Sequence, residues 1–252
     1  MELKGKAAIV TGASRRIGAA IAIALGQKGA AVVINYFQNK DLAEQVASEV
    51  KTAGGQAIIH GADVRDREAV DGMVARAVDA FGGVDILVNN ARIMHKRHSF
   101  LSLDWEKDMV PQLEMHLGGA FHCCQAAIPH MINRGGGAIV NLLSTAYRKV
   151  SPNVYPYGSA KAALRFFTMN LAHEMGPHGI RVNSVSPATT ETKESPLPLE
   201  QEERERRLRE VPLGRFASPN EMAEAVLFLC SEKSSYVSGV DLAVSGGWSL
   251  SL

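Results

Sequence analysis

Six short apolar runs recur along the chain, and longer stretches with helical periodicity separate them. The runs are KAAIV (6–10), AAVVIN (30–35), QAIIHG (56–61), VDILVNN (84–90), GAIVNLL (137–143) and GIRVNSVSP (179–187). Runs that are apolar throughout are typical of strands buried on both faces of a parallel sheet. Repeated strand–helix–strand units with right-handed crossovers therefore predict a doubly wound α/β fold, with a central parallel sheet of about seven strands and helices on both faces.

The helical stretches carry their apolar residues on one face. In two of them these residues are Leu42, Val46, Val50 and Ala53, and Val70, Val74, Val78 and Phe81. A face of this kind packs against a sheet. No Pro- or Ser-rich linker divides the alternating pattern, so residues 1–252 are predicted to form a single domain.

The segment 188–212, ATTETKESPLPLEQEERERRLREVP, interrupts the pattern with prolines and then with a dense run of charges. The charges over 200–210 indicate a solvated helix face. The segment also follows the carboxyl end of a strand, which is where open α/β sheets bind ligands. We therefore expect a mobile lid over a substrate here.

Charge and composition exclude several classes of protein. With 27 Lys and Arg against 26 Asp and Glu, the net charge of +1 gives no indication of a nucleic-acid or anionic-membrane partner. No apolar stretch approaches the roughly 20 residues that a membrane span needs, and MELKGKAAIV lacks a signal-peptide layout, so a cytoplasmic location is expected. Cys123, Cys124 and Cys230 are expected to be free thiols in a reducing cytosol, and no Cys/His cluster has zinc spacing.

The segment TGASRRIG (11–18) follows the first run and opens a predicted helix over 17–28. This is the context of a dinucleotide-binding loop. Gly12 allows a tight turn, and Gly18 allows close packing of helix and strand. The helix N-terminus offers free N–H groups and a positive dipole end to a pyrophosphate. Alone, such a glycine pattern is weak evidence for a nucleotide site.

Charges near this loop favour NADP(H) over NAD(H). In many NAD-binding folds an acidic residue at the end of the second strand accepts hydrogen bonds from the ribose hydroxyls, whereas this strand ends in VINY (33–36). Arg15 is placed to pair with a ribose 2′-phosphate, because phosphate binds a guanidinium and repels a carboxylate. The alternative is that Arg15 and Arg16 point into solvent. Asp63 and Val64 follow the third run, where they either meet an adenine or cap a helix.

Tyr157 and Lys161 lie four residues apart in YGSAK, at the head of a predicted helix over 157–175. The spacing puts both side chains on one helix face, and an ammonium beside a phenol lowers a phenol pKa that starts near roughly 10. The tyrosine can then exchange a proton near neutral pH. Ser144 ends the fifth run, so its hydroxyl either hydrogen-bonds a carbonyl oxygen in the crevice or caps the next segment.

Together these motifs resemble the short-chain dehydrogenase/reductase family over essentially the whole chain. The matching segments, in chain order, are TGASRRIG, Asp63-Val64, NNA (89–91), Ser144, YxxxK (157–161), IRVNSVSPATTET (180–192), PLGRFASPNEMA (212–223) and SGVDLAVSGGW (238–248). Ser144 precedes Tyr157 by thirteen residues, as in that family. The resemblance implies a Rossmann fold that binds NAD(P) and carries a Ser–Tyr–Lys site.

In the scheme implied by this resemblance, Tyr157 passes a proton to or from the substrate oxygen, and Ser144 holds and polarises that oxygen. Lys161 lowers the tyrosine pKa and binds the nicotinamide ribose, Asn89 braces the sheet, and residues 187–192 hold the carboxamide. The expected cofactor contacts are Gly12, Ser14, Arg15, Arg16, Ile17, Gly18, Asn35, Tyr36, Asp63, Val64, Asn90, Ala91, Tyr157, Lys161, Pro187, Thr190 and Thr192. The candidate substrate contacts are Met94, His95, Ser144, Ala146, Tyr147, Val154 and Tyr155.

Four positions depart from the family pattern. Arg16 and Arg92 stand where glycine is usual, His116 stands where asparagine is usual, and Ala188 replaces a glycine. The family asparagine helps to hold a water that links Lys161 to solvent. His116, our fourth candidate catalytic residue, either takes over that role or is an ordinary packed histidine. Arg92 either clamps a phosphate or an acidic substrate, or it faces outward.

The sequence therefore predicts an NADPH-dependent carbonyl reductase that converts a ketone to an alcohol, with β-ketoacyl thioesters among the candidate substrates. An NAD-dependent alcohol or polyol dehydrogenase is one alternative. An NADP-binding sensor that has lost catalysis is the other, motivated by the changes at positions 16, 92 and 116. Many relatives are tetramers, and the two apolar helices over 116–131 and 157–175 are compatible with a homotetramer or a dimer.

Overall fold

The computed structural model describes residues 2–94, 98–148, 153–191, 197 and 199–248. Within these residues, seven parallel strands form one sheet in the order β3–β2–β1–β4–β5–β6–β7. They are β1 (Ala7–Val10), β2 (Ala31–Tyr36), β3 (Gln56–Gly61), β4 (Ile86–Asn89), β5 (Gly137–Leu142), β6 (Ile180–Pro187) and β7 (Asp241–Val244). The chain winds outward in one direction from β1 and in the other from β4, which confirms the predicted doubly wound fold.

Helices cover both faces of the sheet. They are α1 (Arg16–Gln27), α2 (Lys40–Thr52), α3 (Arg67–Phe81), α4 (Val110–Leu113), α5 (Gly119–Asn133), α6 (Tyr155–Met175), α7 (Gln201–Arg209) and α8 (Pro219–Cys230). One hydrophobic core lies between the sheet and α1, α2 and α8, and a second lies between the sheet and α3, α5 and α6. The predicted helices agree with these bounds within a few residues, except in the region of α4 and α5.

Burial along the strands explains why the apolar runs are continuous. In β1, Ala8 and Val10 belong to the first core, whereas Ile9 belongs to the second. The central strands β1 and β4 are buried at every residue, while the edge strand β3 is only partly buried. A strand covered on both faces needs apolar side chains at odd and even positions alike.

The helix predicted over 116–131 is part of a longer helical segment from Trp105 to Asn133. Two π-helical turns, Trp105–Met109 and Glu114–Gly118, flank α4. Such turns are rare and are often found at functional sites. The second of them contains His116, whose buried ring packs edge-on against Tyr157.

Buried amides join the middle of the sheet to α6. The Asn89 Nδ2 atom donates to Asn141 Oδ1 at 2.8 Å, and Asn141 Nδ2 donates to Thr168 Oγ1 at 2.9 Å. These bonds connect β4, β5 and α6 in turn, so Asn89 has the bracing position that the family resemblance implies.

Cys123, Cys124 and Cys230 are all buried and free. Burial raises the thiol pKa of Cys124 and of Cys230 to about 12, and it raises that of Cys123 as well. Among the described residues, no helix is long and apolar enough to span a membrane, and no group of three or more His, Cys, Asp and Glu is placed to hold a metal ion.

Candidate active site

A cleft of about 1110 Å³ opens at the carboxyl ends of the strands. The glycine loop and the predicted Ser–Tyr–Lys group line this one cleft, where an open α/β sheet binds its ligand. The predicted contacts that line it are Gly12, Ser14, Arg15, Arg16, Ile17, Gly18, Asn35, Tyr36, Asp63, Val64, Asn90, Ala91, Met94, Ser144, Ala146, Val154, Tyr157, Lys161, Pro187 and Thr190. Two others, His95 and Thr192, lie outside the described residues.

The glycines of the loop are required by its shape. Gly12 has a φ of 60°, in the left-handed region that favours glycine, and a Cβ atom there would lie 2.9 Å from the Cα atom of Ala91. A Cβ atom on Gly18 would lie 2.4 Å from the carbonyl oxygen of Gly12. Gly18 thus allows α1 to approach the loop itself, rather than the strand as the sequence suggested.

The N-terminus of α1 opens toward the cleft. Arg15 occupies its N-cap position without a capping hydrogen bond from its side chain, and the first turn contains no acidic residue. The first N–H groups of a helix have no partner within the helix, so they are available to an anion. Arg15 is exposed and lines the cleft beside them.

Asn35 supports the loop. Its Oδ1 atom accepts a hydrogen bond from the Gly12 N–H at 3.0 Å. Its Nδ2 atom donates to the backbone carbonyls of Tyr36, His60 and Ala62 at 3.0–3.3 Å. Every polar atom of this buried amide is therefore engaged with the backbone, and a direct contact of Asn35 with a cofactor stays a prediction.

Asn90 has a similar supporting position. Its Nδ2 atom donates to the carbonyls of Thr11 and Gly12 at 2.9 and 3.0 Å. The Thr11 hydroxyl in turn accepts hydrogen bonds from the N–H groups of Asn90 and Ala91. The end of β4 is thereby joined to the glycine loop, and only the remaining surface of Asn90 faces the cleft.

Asp63 forms an ion pair with Arg65, in which Arg65 Nη2 lies 2.6 Å from Asp63 Oδ2. The hydrogen bonds from Arg65 lower the pKa of the Asp63 carboxyl. The predicted N-cap of the next helix is instead Asp66, whose carboxylate accepts from the N–H groups of Glu68 and Ala69. Asp63 therefore carries its charge into the cleft wall together with that of Arg65.

Three residues after β2 line the cleft and were missed by the sequence prediction. Phe37, Gln38 and Asn39 are exposed and share the cleft wall with Arg15. Their position directly after the second predicted strand was the available signal, since the carboxyl end of that strand faces the ligand. None of the three is acidic, which extends the uncharged segment beyond Tyr36.

Ser144 and Tyr157 meet across the other end of the cleft. Burial raises the pKa of the Tyr157 phenol above its ordinary value, while a hydrogen bond from the Ser144 hydroxyl and the positive charge of Arg92 oppose the rise. Ser144 also accepts a hydrogen bond from the Ala146 N–H at 3.2 Å, so it caps the following turn as well as facing the phenol.

Lys161 has a different environment from the one that the sequence suggested. Its buried ammonium donates to the carbonyl of Leu142 at 2.6 Å and lies 5.7 Å from the centre of the Tyr157 ring. Burial, with the positive charge of Arg92, lowers the pKa of Lys161 to about 7. The expected lowering of the phenol pKa is thus opposed by burial in this structure, where the net shift of Tyr157 is upward.

His116 is buried next to this pair. Its ring centre is 5.3 Å from that of Tyr157, at an interplanar angle of 77°. His116, Asn89 and Lys161 line a second pocket of about 10 Å³, close to the smallest volume that holds one water molecule. The position fits the predicted proton relay, and that role stays a prediction.

Two of the candidate substrate contacts do not line the cleft. The Tyr147 hydroxyl donates to the carboxylate of Asp241, which Arg148 also binds at 2.6 Å. The exposed Tyr155 ring packs edge-on against Phe100. Asp241 is buried and also accepts from two serines of β6, so Tyr147 is drawn toward the sheet instead of the ligand.

The described part of the segment 188–212 lies along the cleft. Its charge run forms α7, in which ion pairs join Glu203 to Arg206 and Arg207. Another ion pair joins Arg204 to Glu191, which follows β6. The cleft-facing residues of this segment include Arg206, Arg207, Glu210 and Val211. The charges therefore form a paired helix surface that borders the cleft, and its action as a lid stays a prediction.

Known proteins resemble this chain along nearly its whole length. A family model described as enoyl-(acyl carrier protein) reductase matches residues 12–249. A 3-oxoacyl-[acyl-carrier-protein] reductase from Staphylococcus aureus is 36% identical over 242 residues, covering 96% of this chain and 97% of that protein. An L-rhamnose 1-dehydrogenase (NAD(P)(+)) from a Sphingomonas species is 38% identical over 254 residues, covering 99% of this chain and 98% of that protein.

A solved structure extends the similarity to three dimensions. A 7α-hydroxysteroid dehydrogenase in complex with NADH and 7-oxo glycochenodeoxycholic acid superposes with a TM-score of 0.92 at 35% identity, covering 98% of this chain and 95% of that one. The three named proteins act on different compounds. What they share with this chain is a fold and a class of reaction.

Proposed function

Because the chain belongs to the short-chain dehydrogenase/reductase family, we propose that it is an NADPH-dependent oxidoreductase that reduces a ketone to an alcohol. The family acts with a nicotinamide cofactor on the CH–OH/C=O couple. The observation that carries the proposal is that Ser144, Tyr157 and Lys161 line the same cleft as the glycine loop.

The cofactor end of the cleft fits a phosphate-bearing dinucleotide. The close approach of Gly12 and Gly18 leaves the loop backbone bare, and the N-terminus of α1 has no acidic residue in its first turn. These groups suit a pyrophosphate. Arg15, next to the uncharged segment 36–39, would bind the 2′-phosphate that distinguishes NADPH from NADH.

When bound, NADPH supplies the hydride that reduces the carbonyl carbon. Ser144 donates a hydrogen bond to the carbonyl oxygen and polarises it, and Tyr157 gives its phenolic proton to the same oxygen. The two hydroxyls are hydrogen-bonded to each other, so both can reach the same carbonyl oxygen. Lys161 would hold the cofactor ribose, and His116 would return a proton through the small pocket that it lines with Lys161.

The direction of the Tyr157 shift favours reduction. A phenol whose pKa is raised by burial stays protonated at neutral pH, so it is ready to act as a proton donor. Oxidation of an alcohol needs the phenolate, which forms only at higher pH. We therefore expect the rate of the reverse reaction to rise under alkaline conditions.

The proposed activity is tested by following NADPH absorbance with a panel of ketones, diketones and β-ketoacyl thioesters. Wild-type protein should oxidise NADPH with at least one compound, and the Tyr157→Phe variant should not. The absence of turnover with every compound, together with identical behaviour of the variant, would refute the proposal.

Cofactor preference is tested with Arg15→Ala. We expect the variant to lose affinity for NADPH by about 10-fold to 100-fold, because a charge-assisted contact to phosphate is lost, while NADH affinity stays unchanged. Arg76→Ala is the matched control, since Arg76 is an exposed arginine of α3 that does not line the cleft. Equal NADPH affinity in both variants would contradict the assignment of Arg15.

A second candidate is an NAD(P)-dependent dehydrogenase of a sugar or polyol. The similarity to the L-rhamnose 1-dehydrogenase favours it. Here the physiological reaction would be oxidation, so aldoses and polyols with NAD+ and NADP+ form the second panel. A higher kcat/KM for oxidation at neutral pH than for any ketone reduction would select this candidate.

We also propose that the protein is a homo-oligomer, a tetramer or a dimer, formed through α5 and α6. Phe121 on α5 and Phe166 and Met169 on α6 are exposed large apolar side chains, and such patches mark interfaces. Light scattering should give a multiple of the 27.1 kDa chain mass, and Phe166→Glu should lower it. Leu42→Glu on α2 is the control, because Leu42 is exposed and not packed on the sheet as its helical period predicted. An unchanged mass for Phe166→Glu would contradict this interface.

A further inference from the structure

Arg92 is a cation at the reaction end of the cleft that the proposed mechanism does not use. It follows the carboxyl end of β4 by three residues, is exposed, and lines the cleft. Its charge acts on both Tyr157 and Lys161, lowering the pKa of each. The guanidinium therefore lies near the point where the substrate carbonyl must be held.

The acidic side chains of the cleft have other partners. Asp63 pairs with Arg65, and Glu191 pairs with Arg204. The remaining two pairs join Glu210 to Arg206 and Glu221 to Arg215. Among the residues that the structure describes, no carboxylate forms an ion pair with Arg92. Its positive charge thus remains available to a ligand.

The cleft that Arg92 lines is partly apolar. Met94, Met115, Leu143, Ala146 and Val154 line it together with Ser144 and Tyr157. A cleft that combines apolar walls with a cation and two hydroxyls recognises a compound with an apolar body, a carbonyl and one negative charge. An arginine is the side chain best suited to bind a carboxylate or phosphate through two parallel hydrogen bonds.

We propose that Arg92 is a specificity-determining residue that binds an anionic group on the substrate, a carboxylate or a phosphate a few bonds from the reacting carbonyl. The inference rests on the proposed function in that it takes Ser144 and Tyr157 as the carbonyl site. It assigns the substrate to the oxo acids or the phosphorylated ketones, and it gives a role to a residue that departs from the family pattern.

Matched compounds test this inference in the wild type and in Arg92→Gln. The compounds are short 2-oxo and 3-oxo acids, their methyl esters, and a ketone phosphate of equal length with its free alcohol. We expect the wild type to prefer the charged member of one pair, and Arg92→Gln to reduce that preference by about 10-fold to 100-fold in kcat/KM. Turnover of the neutral member should fall less than that of the charged member, because only the charged member loses an ion pair, and the pair that shows this difference tells carboxylate from phosphate.

Two further variants sharpen the test. Arg92→Lys keeps the positive charge but lacks the two parallel N–H donors of a guanidinium, so it should retain part of the preference for the charged compound. Arg76→Gln removes an arginine outside the cleft and should retain all of it. A loss of kcat/KM that is equal for acid and ester, or a pH profile shifted equally for both, would assign Arg92 to tuning Tyr157 and overturn the inference.

A binding measurement separates this inference from the proposed activity. In a Tyr157→Phe background, quenching of NADPH fluorescence reports binding of the acid and of its ester without turnover. Binding of the acid that depends on Arg92, together with a wild type that reduces none of the compounds, would support the inference and refute the reductase. Reduction of neutral ketones at rates independent of Arg92, with no preference for a charged compound, would support the reductase and refute the inference about Arg92.

Discussion

The two ends of the cleft use polar side chains in opposite ways. The loop end is formed by residues 11–18 and the carboxyl ends of β2 and β3. There the side-chain amides of Asn35 and Asn90 form hydrogen bonds with backbone groups. At the reaction end, formed by Ser144, Tyr157, Lys161 and Arg92, Ser144 and Lys161 each have one bond to the backbone, but the polar groups also act on one another.

The difference follows from what each end must bind. A pyrophosphate is bound by N–H groups of a fixed backbone, so the side chains at the loop end stabilise that backbone. A reacting carbonyl needs groups that donate and accept protons, so the side chains at the reaction end are themselves the ligands. Variants at the loop end should therefore change stability first, and variants at the reaction end should change rate first.

Tyr157→Phe should have the largest effect, and it should be an effect on rate. Loss of the proton donor should lower kcat/KM by about 10³-fold, while the affinity for NADPH and the unfolding midpoint stay close to wild type. Steady-state kinetics and thermal melts of the same preparation measure both quantities.

Tyr147→Phe is the matched control for this change. It removes the hydroxyl that donates to Asp241, which lies away from the cleft. We expect a loss of about 1 kcal/mol in the free energy of unfolding and a nearly unchanged kcat/KM. Equal loss of activity in both variants would contradict the assignment of a catalytic role to Tyr157 and a structural role to Tyr147.

Asn35→Leu should have the next largest effect, on stability. It leaves the Gly12 N–H and the Ala62 carbonyl without their partner, which should lower the free energy of unfolding by about 3 kcal/mol. NADPH and NADH should lose affinity alike. Denaturant titration with Gln38→Leu as control, at an exposed amide of the same cleft wall, isolates the effect.

A direct contact between Asn35 and the cofactor would give another result. Stability would then be retained, and only the ratio of NADPH to NADH affinity would change. That outcome would make the loop end resemble the reaction end and would remove the proposed contrast.

The contrast also explains which features the sequence could predict. The fold depends on apolar periodicity, which is local, and the bounds of the first six strands were predicted to within two residues, whereas β7 was not located. The fold determines which residues line the cleft, because the residues that follow parallel strands meet at one edge of the sheet. The hydrogen-bond partner of a side chain is decided by long-range contacts, so neither the bonds of Asn35 to the backbone nor the bond from Tyr147 to Asp241 was predicted.

The pKa values illustrate the same limit in physical terms. The spacing of Tyr157 and Lys161 suggested that the ammonium lowers the phenol pKa. Spacing says nothing of burial, which disfavours the charged form of both groups. In the structure burial is the largest influence on each of them, and it raises one pKa and lowers the other.

A third prediction concerns stability against pH and Lys161. Burial lowers its pKa to about 7 in the folded protein, whereas the unfolded chain keeps a value near roughly 10.4. The unfolded state therefore binds more protons between these values, and stability rises with pH across that window. Relative to Lys161→Met, the wild type without cofactor should gain about 2 kcal/mol between pH 7 and pH 9.

Denaturant titrations of both proteins at several pH values measure this difference. The comparison cancels the titration of the buried cysteines, which both proteins contain. A constant difference across the window would mean that Lys161 remains charged in the folded state and that its bond to the Leu142 carbonyl compensates its burial.

The smallest effect is expected at Arg16, where one substitution should change both stability and ligand binding. Arg16 has a φ of 51°, in the left-handed region, which costs an L-residue about 1–2 kcal/mol. Arg16→Gly should therefore raise the free energy of unfolding by about 1 kcal/mol after the greater freedom of glycine in the unfolded chain is subtracted. Arg15→Gly is the control for stability, because the extended φ of −162° at Arg15 suits any residue and glycine there should only destabilise.

Backbone strain that is retained at a ligand site indicates that the strained residue has a functional role. We therefore expect Arg16→Gly to gain stability and to lose NADPH affinity. A gain of stability with unchanged affinity and kinetics would show that the strain at Arg16 serves neither end of the cleft.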